Sequence, residues 1–187
     1  TVTIFKRDST AAKVLDITSG DSNIITITAG SNDANGYTLY SNVGNSTSNY
    51  TDLRISPSNS TNKFTNLSSN KANLAAFADN TWGYSYCNAT SNASACDTTS
   101  NWVSGSVGST SAGYNGLPLY NSGNNATGII LADTTTANQT TLKFKIGAKA
   151  ATSQASGLYT NVVNFIGITN PNPTYITQDE ATYMQDS

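Results

Sequence analysis

Short segments in which apolar and polar residues alternate recur along the chain, and this period of two constrains the fold more than any other feature. The clearest case is residues 140–150, where Phe144 and Ile146 alternate with Lys143 and Lys145. Such alternation predicts a half-buried strand with one apolar face and one solvated lysine face. Comparable segments predict strands at 1–6, 13–18, 23–30, 36–43, 52–56, 127–132 and 157–169, and a short edge strand or turn at 116–120.

One segment, 70–80, has a different character. It carries four alanines, with Leu74 and Phe77 at i, i+3 spacing, and it predicts a short helix with Asn70 as its N-cap. Residues 57–70 and 103–128 are rich in Ser, Asn, Thr or Gly and are predicted to be largely loop. We therefore expect an all-β protein with one short helix, built as an antiparallel β-sandwich of immunoglobulin-like or jelly-roll-like type.

The domain organisation follows from the same pattern. Residues 1–169 are predicted to form a single β-sandwich domain, in which 1–6 is a candidate donor strand. Residues 170–187 open with two prolines and carry most of their acidic residues late, which indicates a C-terminal tail or a linker to a further module.

The composition excludes several classes of function. Charged residues are 11% of the chain and the net charge is −2, so no electrostatic case exists for nucleic acid or an anionic membrane. The chain has no histidine, and Glu180 is the single glutamate among eleven acidic residues. A His-based triad or metal site therefore cannot be built. We expect no enzyme activity, no catalytic residues, no metal and no cofactor, and no apolar stretch reaches membrane-spanning length.

Two cysteines, Cys87 and Cys96, are separated by eight residues. An even count in a chain of this composition predicts one structural disulfide and an oxidising compartment, so we expect the protein to be extracellular or displayed at the cell surface.

Aromatic residues crowd around these cysteines. Trp82, Tyr84 and Tyr86 alternate and so share one face of a strand, and Trp102 follows the cysteine loop. Three roles stay open for this set: a core-facing row, a contact with a neighbouring subunit, or a platform on which a sugar stacks.

Acceptor triplets for N-glycosylation are frequent, but a chain so rich in Asn, Ser and Thr produces about as many by chance. Whether the protein is a glycoprotein is left open. The triplets begin at Asn45, Asn49, Asn59, Asn66, Asn88, Asn92, Asn125 and Asn138.

Three segments together resemble a family of secreted surface proteins from candidate-phyla bacteria with reduced genomes. They are "NIITITAGSNDANGYTLYSN", "NLAAFADNTWGYSY" and "TTLKFKIGAKAATSQASGLYTNVVNFIGITNPNP", in this order. The "YMQD" of residues 183–186 is similar to the entry into a module that often follows in that family. The resemblance implies a β-sandwich at the cell surface with a role in adhesion or envelope structure. The cysteine loop "CNATSNASAC" is a departure from the family pattern.

These observations favour an extracellular structural subunit that polymerises into a pilus-like filament by strand complementation, with identical subunits as partners. The N-terminal strand would fill the groove of the next subunit through Val2, Ile4 and Phe5. The simpler alternative for that strand is pairing within its own domain. The alternative function is an adhesin or carbohydrate-binding module that uses the Trp/Tyr face to bind glycans.

Overall fold

The structure is a computed structural model that describes residues 2–6, 13–16, 24–90, 92–121, 123 and 128–171. It confirms an all-β sandwich. Eleven strands are present in these residues: β1 Val2–Lys6, β2 Lys13–Asp16, β3 Ile25–Ser31, β4 Tyr37–Val43, β5 Leu53–Arg54, β6 Lys63–Asn66, β7 Thr81–Asn88, β8 Ile129–Asp133, β9 Asn138–Ala150, β10 Gly157–Asn161 and β11 Val163–Thr169.

The strands form two sheets. The larger follows the order β1-β10-β5-β6-β7-β9-β2, and β3 pairs with β9 as well. The long strand β9 therefore has β7 along one side and β3 and β2 in succession along the other. The smaller sheet has the order β11-β4-β8. All pairs are antiparallel except β6 with β7, which run parallel.

The main core lies between the two sheets. Phe144 of β9 stacks on Tyr84 of β7, and its ring meets Phe165 of β11 edge to face at a centroid distance of 5.1 Å. Leu39 and Val43 of β4 close the core from the smaller sheet. The alternation that predicts β4 and β9 thus corresponds to the inward-facing rows of the two sheets.

The outer face of the β7–β9 region is covered as well, and here the prediction of a solvated lysine face is wrong. Lys145 is buried, with its Nζ 4.2 Å from the Trp102 ring centroid and 5.3 Å from that of Tyr114. Glycine permits this cover: a Cβ on Gly83 would lie 2.6 Å from Leu67 Cδ1 and 2.7 Å from the carbonyl oxygen of Asn115. Segments that read as loops in the sequence therefore form a third layer.

The predicted helix at 70–80 is also wrong. One turn of 3-10 helix spans Leu74–Ala76, and its N-cap is Asn73, whose side chain accepts the N–H of Ala76 at 3.2 Å. Asn70 instead donates to the Ser104 hydroxyl. Lys71 exchanges two backbone hydrogen bonds with Tyr114, which holds this segment extended. Two further 3-10 segments, Ala93–Asp97 and Thr99–Asn101, follow β7.

The predicted strand 157–169 is two strands in different sheets. The break falls at Val162, whose N–H donates to the side chain of the buried Asn161 at 2.7 Å. The amide of Asn161 also donates to the carbonyls of Tyr50 and Asp52. A buried amide with these three bonds fixes the corner at which the chain leaves one sheet for the other.

Two smaller boundaries also differ from the prediction. Residues 57–70 contain β6, which a Ser- and Asn-rich context hides in the sequence. Asn170, assigned to the tail, is bound to the domain: its amide donates to the carbonyls of Asn35 and Thr134. The remainder of the predicted tail, 172–187, lies outside the described residues.

Candidate functional site

The predicted donor strand β1 lies at one edge of the larger sheet. It pairs with β10 in an antiparallel register from Val2 opposite Asn161 to Lys6 opposite Gly157. In that register Ile4 stands opposite Tyr159 and Phe5 opposite Leu158. On the acceptor strand, Tyr159 is fully buried and Leu158 is 51% exposed. In the described part of the chain, β1 is therefore an edge strand that pairs with one neighbour.

Two other long strands end their sheets. Within the residues described, β3 pairs with β9 alone and β11 pairs with β4 alone. Neither strand carries a charged residue or a proline, the devices that usually protect an exposed edge. By contrast, the Ile130 carbonyl of β8 accepts the Val107 N–H and the Ile130 N–H reaches the Ser106 hydroxyl, so a loop covers that edge.

The row formed by Trp82, Tyr84 and Tyr86 faces the core, as their alternate spacing allows. None of the three exposes more than 3% of its surface. The Trp82 Nε1–H donates to the Thr51 carbonyl at 3.0 Å. Rings in this position cannot stack on a sugar, because no face of them reaches solvent.

Trp102 belongs to the opposite face of β7. It is 2% exposed, and its Nε1–H donates to the Cys96 carbonyl at 2.9 Å. Its ring carries Lys145 on one side, a cation–π contact that keeps a buried ammonium group near negative ring density. The four aromatic residues therefore do not form one binding face, and a glycan platform made of them is not supported.

The disulfide between Cys87 and Cys96 is confirmed, and both cysteines are buried. Cys87 lies in β7 and Cys96 lies in the 3-10 turn Ala93–Asp97, so the bond attaches that turn to the sheet. The pair packs with Trp102, and Ile24 contacts the same cluster. The cysteines therefore anchor a loop.

Burial raises the pKa of three tyrosines. For Tyr84 the pKa rises to about 12, because burial disfavours the phenolate more than the hydrogen bond with Gly105 favours it, and nearby Tyr86 adds to the rise. Burial alone raises the pKa of Tyr86. For Tyr159, burial outweighs a hydrogen bond from Gln154. All three phenols thus stay protonated at neutral pH and can donate hydrogen bonds.

The sequence gives no signal for the ionic cluster between β5 and β6. Asp52 is 8% exposed and accepts from Lys63 at 2.9 Å and from Arg54 at 3.4 Å, while the Arg54 guanidinium lies 3.8 Å from the Tyr50 ring centroid. Among the described residues no group of three or more Cys, Asp or Glu is arranged to hold a metal ion. No helix in that part of the chain is long and apolar enough to cross a membrane.

The glycosylation triplets lie in unequal settings. The Asn66 side chain both donates to the carbonyl and accepts from the N–H of Leu117, so it is occupied by the fold. Asn49 and Asn138 are exposed, and Asn125 lies outside the described residues. Four others accept the N–H of the residue two positions later in local turns: Asn45, Asn59, Asn88 and Asn92.

The chain was compared with known protein families, curated proteins and solved structures. No protein-family model, no curated protein and no solved structure matches this chain.

Proposed function

We propose that this chain is an extracellular structural subunit that assembles head to tail by exchange of strand β1 between neighbouring copies. The observation that carries the proposal is the position of β1. It lies at the edge opposite β2, although only residues 7–12 separate the two strands along the chain.

The short link between β1 and β2 limits how far apart the two strands can lie in one subunit. Six strand spacings separate β1 from β2 in the sheet order, which is about 29 Å in a flat sheet. The link from Lys6 to Lys13 reaches at most about 25 Å when fully extended. Pairing of β1 within its own chain therefore requires the sheet to curve, whereas pairing with the next copy removes that constraint.

The contacts of β1 also suit exchange. Strand pairing depends mainly on backbone hydrogen bonds, which a neighbour's strand makes as well as the chain's own. The acceptor, β10, presents five residues to β1 in continuous register. Each subunit would give one strand and receive one at a different surface, and such heterologous contacts generate open fibres. The buried disulfide supports an oxidising, extracellular setting.

The decisive experiment uses two variants with one added cysteine each, Thr3→Cys and Thr160→Cys, because these residues stand opposite each other in the β1–β10 pair. Each variant thus has one added cysteine beside the native Cys87–Cys96 disulfide. The two chains are given different masses with a tag, mixed, oxidised and run without reducing agent. We expect a disulfide-linked heterodimer, since exchange brings the two cysteines together from different chains.

The matched control is Thr28→Cys mixed with Thr141→Cys. These threonines stand opposite each other in the β3–β9 pair inside one sandwich. This mixture is expected to give no heterodimer. Equal yields of heterodimer in the two mixtures, or no heterodimer in the first, would contradict the exchange proposal.

A further inference from the structure

A hollow of about 430 Å³ lies between two loops beside β7. We call residues 92–101 the disulfide loop and residues 105–110 the glycine loop. The floor of the hollow is apolar and includes Tyr86, Val103 and Leu131. Its volume falls in the range of small-molecule sites, which is about 300–1,000 Å³.

The walls of the hollow are fixed by the fold. The disulfide to Cys87 anchors the disulfide loop. The glycine loop is held at both of its faces, because the Gly105 N–H donates to the Tyr84 hydroxyl at 2.7 Å and the Val107 N–H donates to the Ile130 carbonyl at 2.5 Å. A site with walls held in this way loses little conformational entropy when a ligand binds.

The Tyr86 hydroxyl is the second observation that points to a ligand. Tyr86 lines the hollow with only 3% of its surface exposed, and its backbone is locked by two hydrogen bonds with Val103. Its hydroxyl has no hydrogen-bond partner among the described residues, in contrast to that of Tyr84. Among the described residues the buried side-chain polar atoms without a partner are Ser41 Oγ and Arg54 Nε, so the Tyr86 hydroxyl reaches solvent, where an external acceptor or donor can bind it.

The chemistry of the rim defines the ligand. Asn88, Ser100, Asn101, Ser109 and Thr110 supply amides and hydroxyls, and none of the described residues that line the hollow is charged. A ligand that matches this lining is uncharged, rich in hydroxyl groups and apolar on one face. Those are the properties of a neutral saccharide.

We propose that the hollow between the disulfide loop and the glycine loop binds a neutral saccharide unit, with the Tyr86 hydroxyl as one of its hydrogen-bonding groups. This site differs from an aromatic platform, because Tyr86 is the one member of the aromatic set Trp82, Tyr84, Tyr86 and Trp102 that lines it. The proposal is independent of strand exchange, because β1 and β10 contribute nothing to the lining.

The test is an amide chemical-shift titration of the full chain with maltose, cellobiose and N,N′-diacetylchitobiose, each at millimolar concentration. At least one disaccharide is expected to shift the amides of Ser100, Asn101, Ser109 and Thr110 in a saturable way. Galacturonic acid serves as the charged comparator and is expected to bind more weakly, since the lining offers no cation.

Two variants locate the binding. Tyr86→Phe keeps the ring and removes one hydrogen bond, and we expect Kd to rise about fivefold or more. Thr110→Trp fills the mouth of the hollow and is expected to abolish binding. The matched control, Tyr40→Phe, changes a tyrosine outside the hollow and leaves Kd unchanged. Absence of saturable shifts with all three disaccharides, or an equal Kd in wild type and Tyr86→Phe, overturns the proposal.

Discussion

Tyr84 connects the core to the glycine loop through a single hydroxyl. Its ring is fully buried and stacks on Phe144, while its hydroxyl accepts the N–H of Gly105 at 2.7 Å. Replacement by phenylalanine keeps the ring but leaves the Gly105 N–H without this acceptor. We predict that Tyr84→Phe lowers the free energy of unfolding by about 1–2 kcal/mol at neutral pH, measured by urea denaturation.

Tyr84 also makes the free energy of unfolding depend on pH. Its pKa of about 12 in the folded protein lies above the ordinary value of 10.0, so between these values the folded state holds the proton more tightly. Stability is therefore fully present below pH 10 and falls as pH rises towards 12. The fall is expected to be smaller in Tyr84→Phe, with Tyr86 and Tyr159 responsible for what remains. Tyr120→Phe is the control, and an unchanged alkaline fall in Tyr84→Phe would contradict the assignment.

The side-chain environments show what the sequence predicts and what it does not. Alternation correctly places Leu142 and Phe144 in the core, because one period of two decides the face. It fails for Lys145, whose face is covered by residues such as Trp102 and Tyr114, more than thirty positions away. No local sequence pattern predicts that these residues pack over Lys145. From the sequence, residues 103–128 are assigned largely to loop, and the hollow is not predicted.

At the level of elements, the disulfide loop is the part whose order depends most on one bond. The cross-link closes a short loop, and removing it is expected to lower the free energy of unfolding by about 2–3 kcal/mol. We predict this loss for Cys87→Ala/Cys96→Ala, measured by thermal or urea unfolding. Amide hydrogen exchange should quicken in the 3-10 turn Ala93–Asp97 while β9 keeps its protection. Uniform acceleration across both segments would show that the bond stabilises the whole sandwich instead.

Some element boundaries are set by local sequence pattern, and others by contacts between residues far apart in the sequence. Strand β4 is predicted within a residue because alternation and the turn at Gly36 act locally. The helix at 70–80 fails because i, i+3 spacing also suits a single 3-10 turn, and a long-range bridge from Lys71 to Tyr114 overrides helix propensity. The corner at Val162 depends on an amide bonded to Tyr50 and Asp52 over a hundred residues away.

At the scale of the whole molecule, the edges of the sheets are the surfaces on which the proposed assembly depends. Strand β1 is attached to the sheet through β10 alone in the described structure, whereas β9 has neighbours along both sides. Uncharged edges at β3 and β11 offer further pairing surfaces, and they lie away from the β1–β10 pair in the strand order. If β1 is exchanged as proposed, a chain with these open edges would associate repeatedly and in one direction.

The proposed strand exchange would make stability depend on concentration, since each subunit would be completed by another copy. We predict that the midpoint of thermal unfolding of the full chain rises with protein concentration, measured by calorimetry across about a hundredfold range. Deletion of residues 1–6 should lower the midpoint and remove its concentration dependence, because β10 then has no strand on its outer side. A synthetic peptide of residues 1–6 should restore the midpoint in proportion to the peptide added, whereas a scrambled peptide should not. A midpoint of the full chain that stays constant with concentration would place β1 within its own subunit and remove the basis for a filament built by exchange.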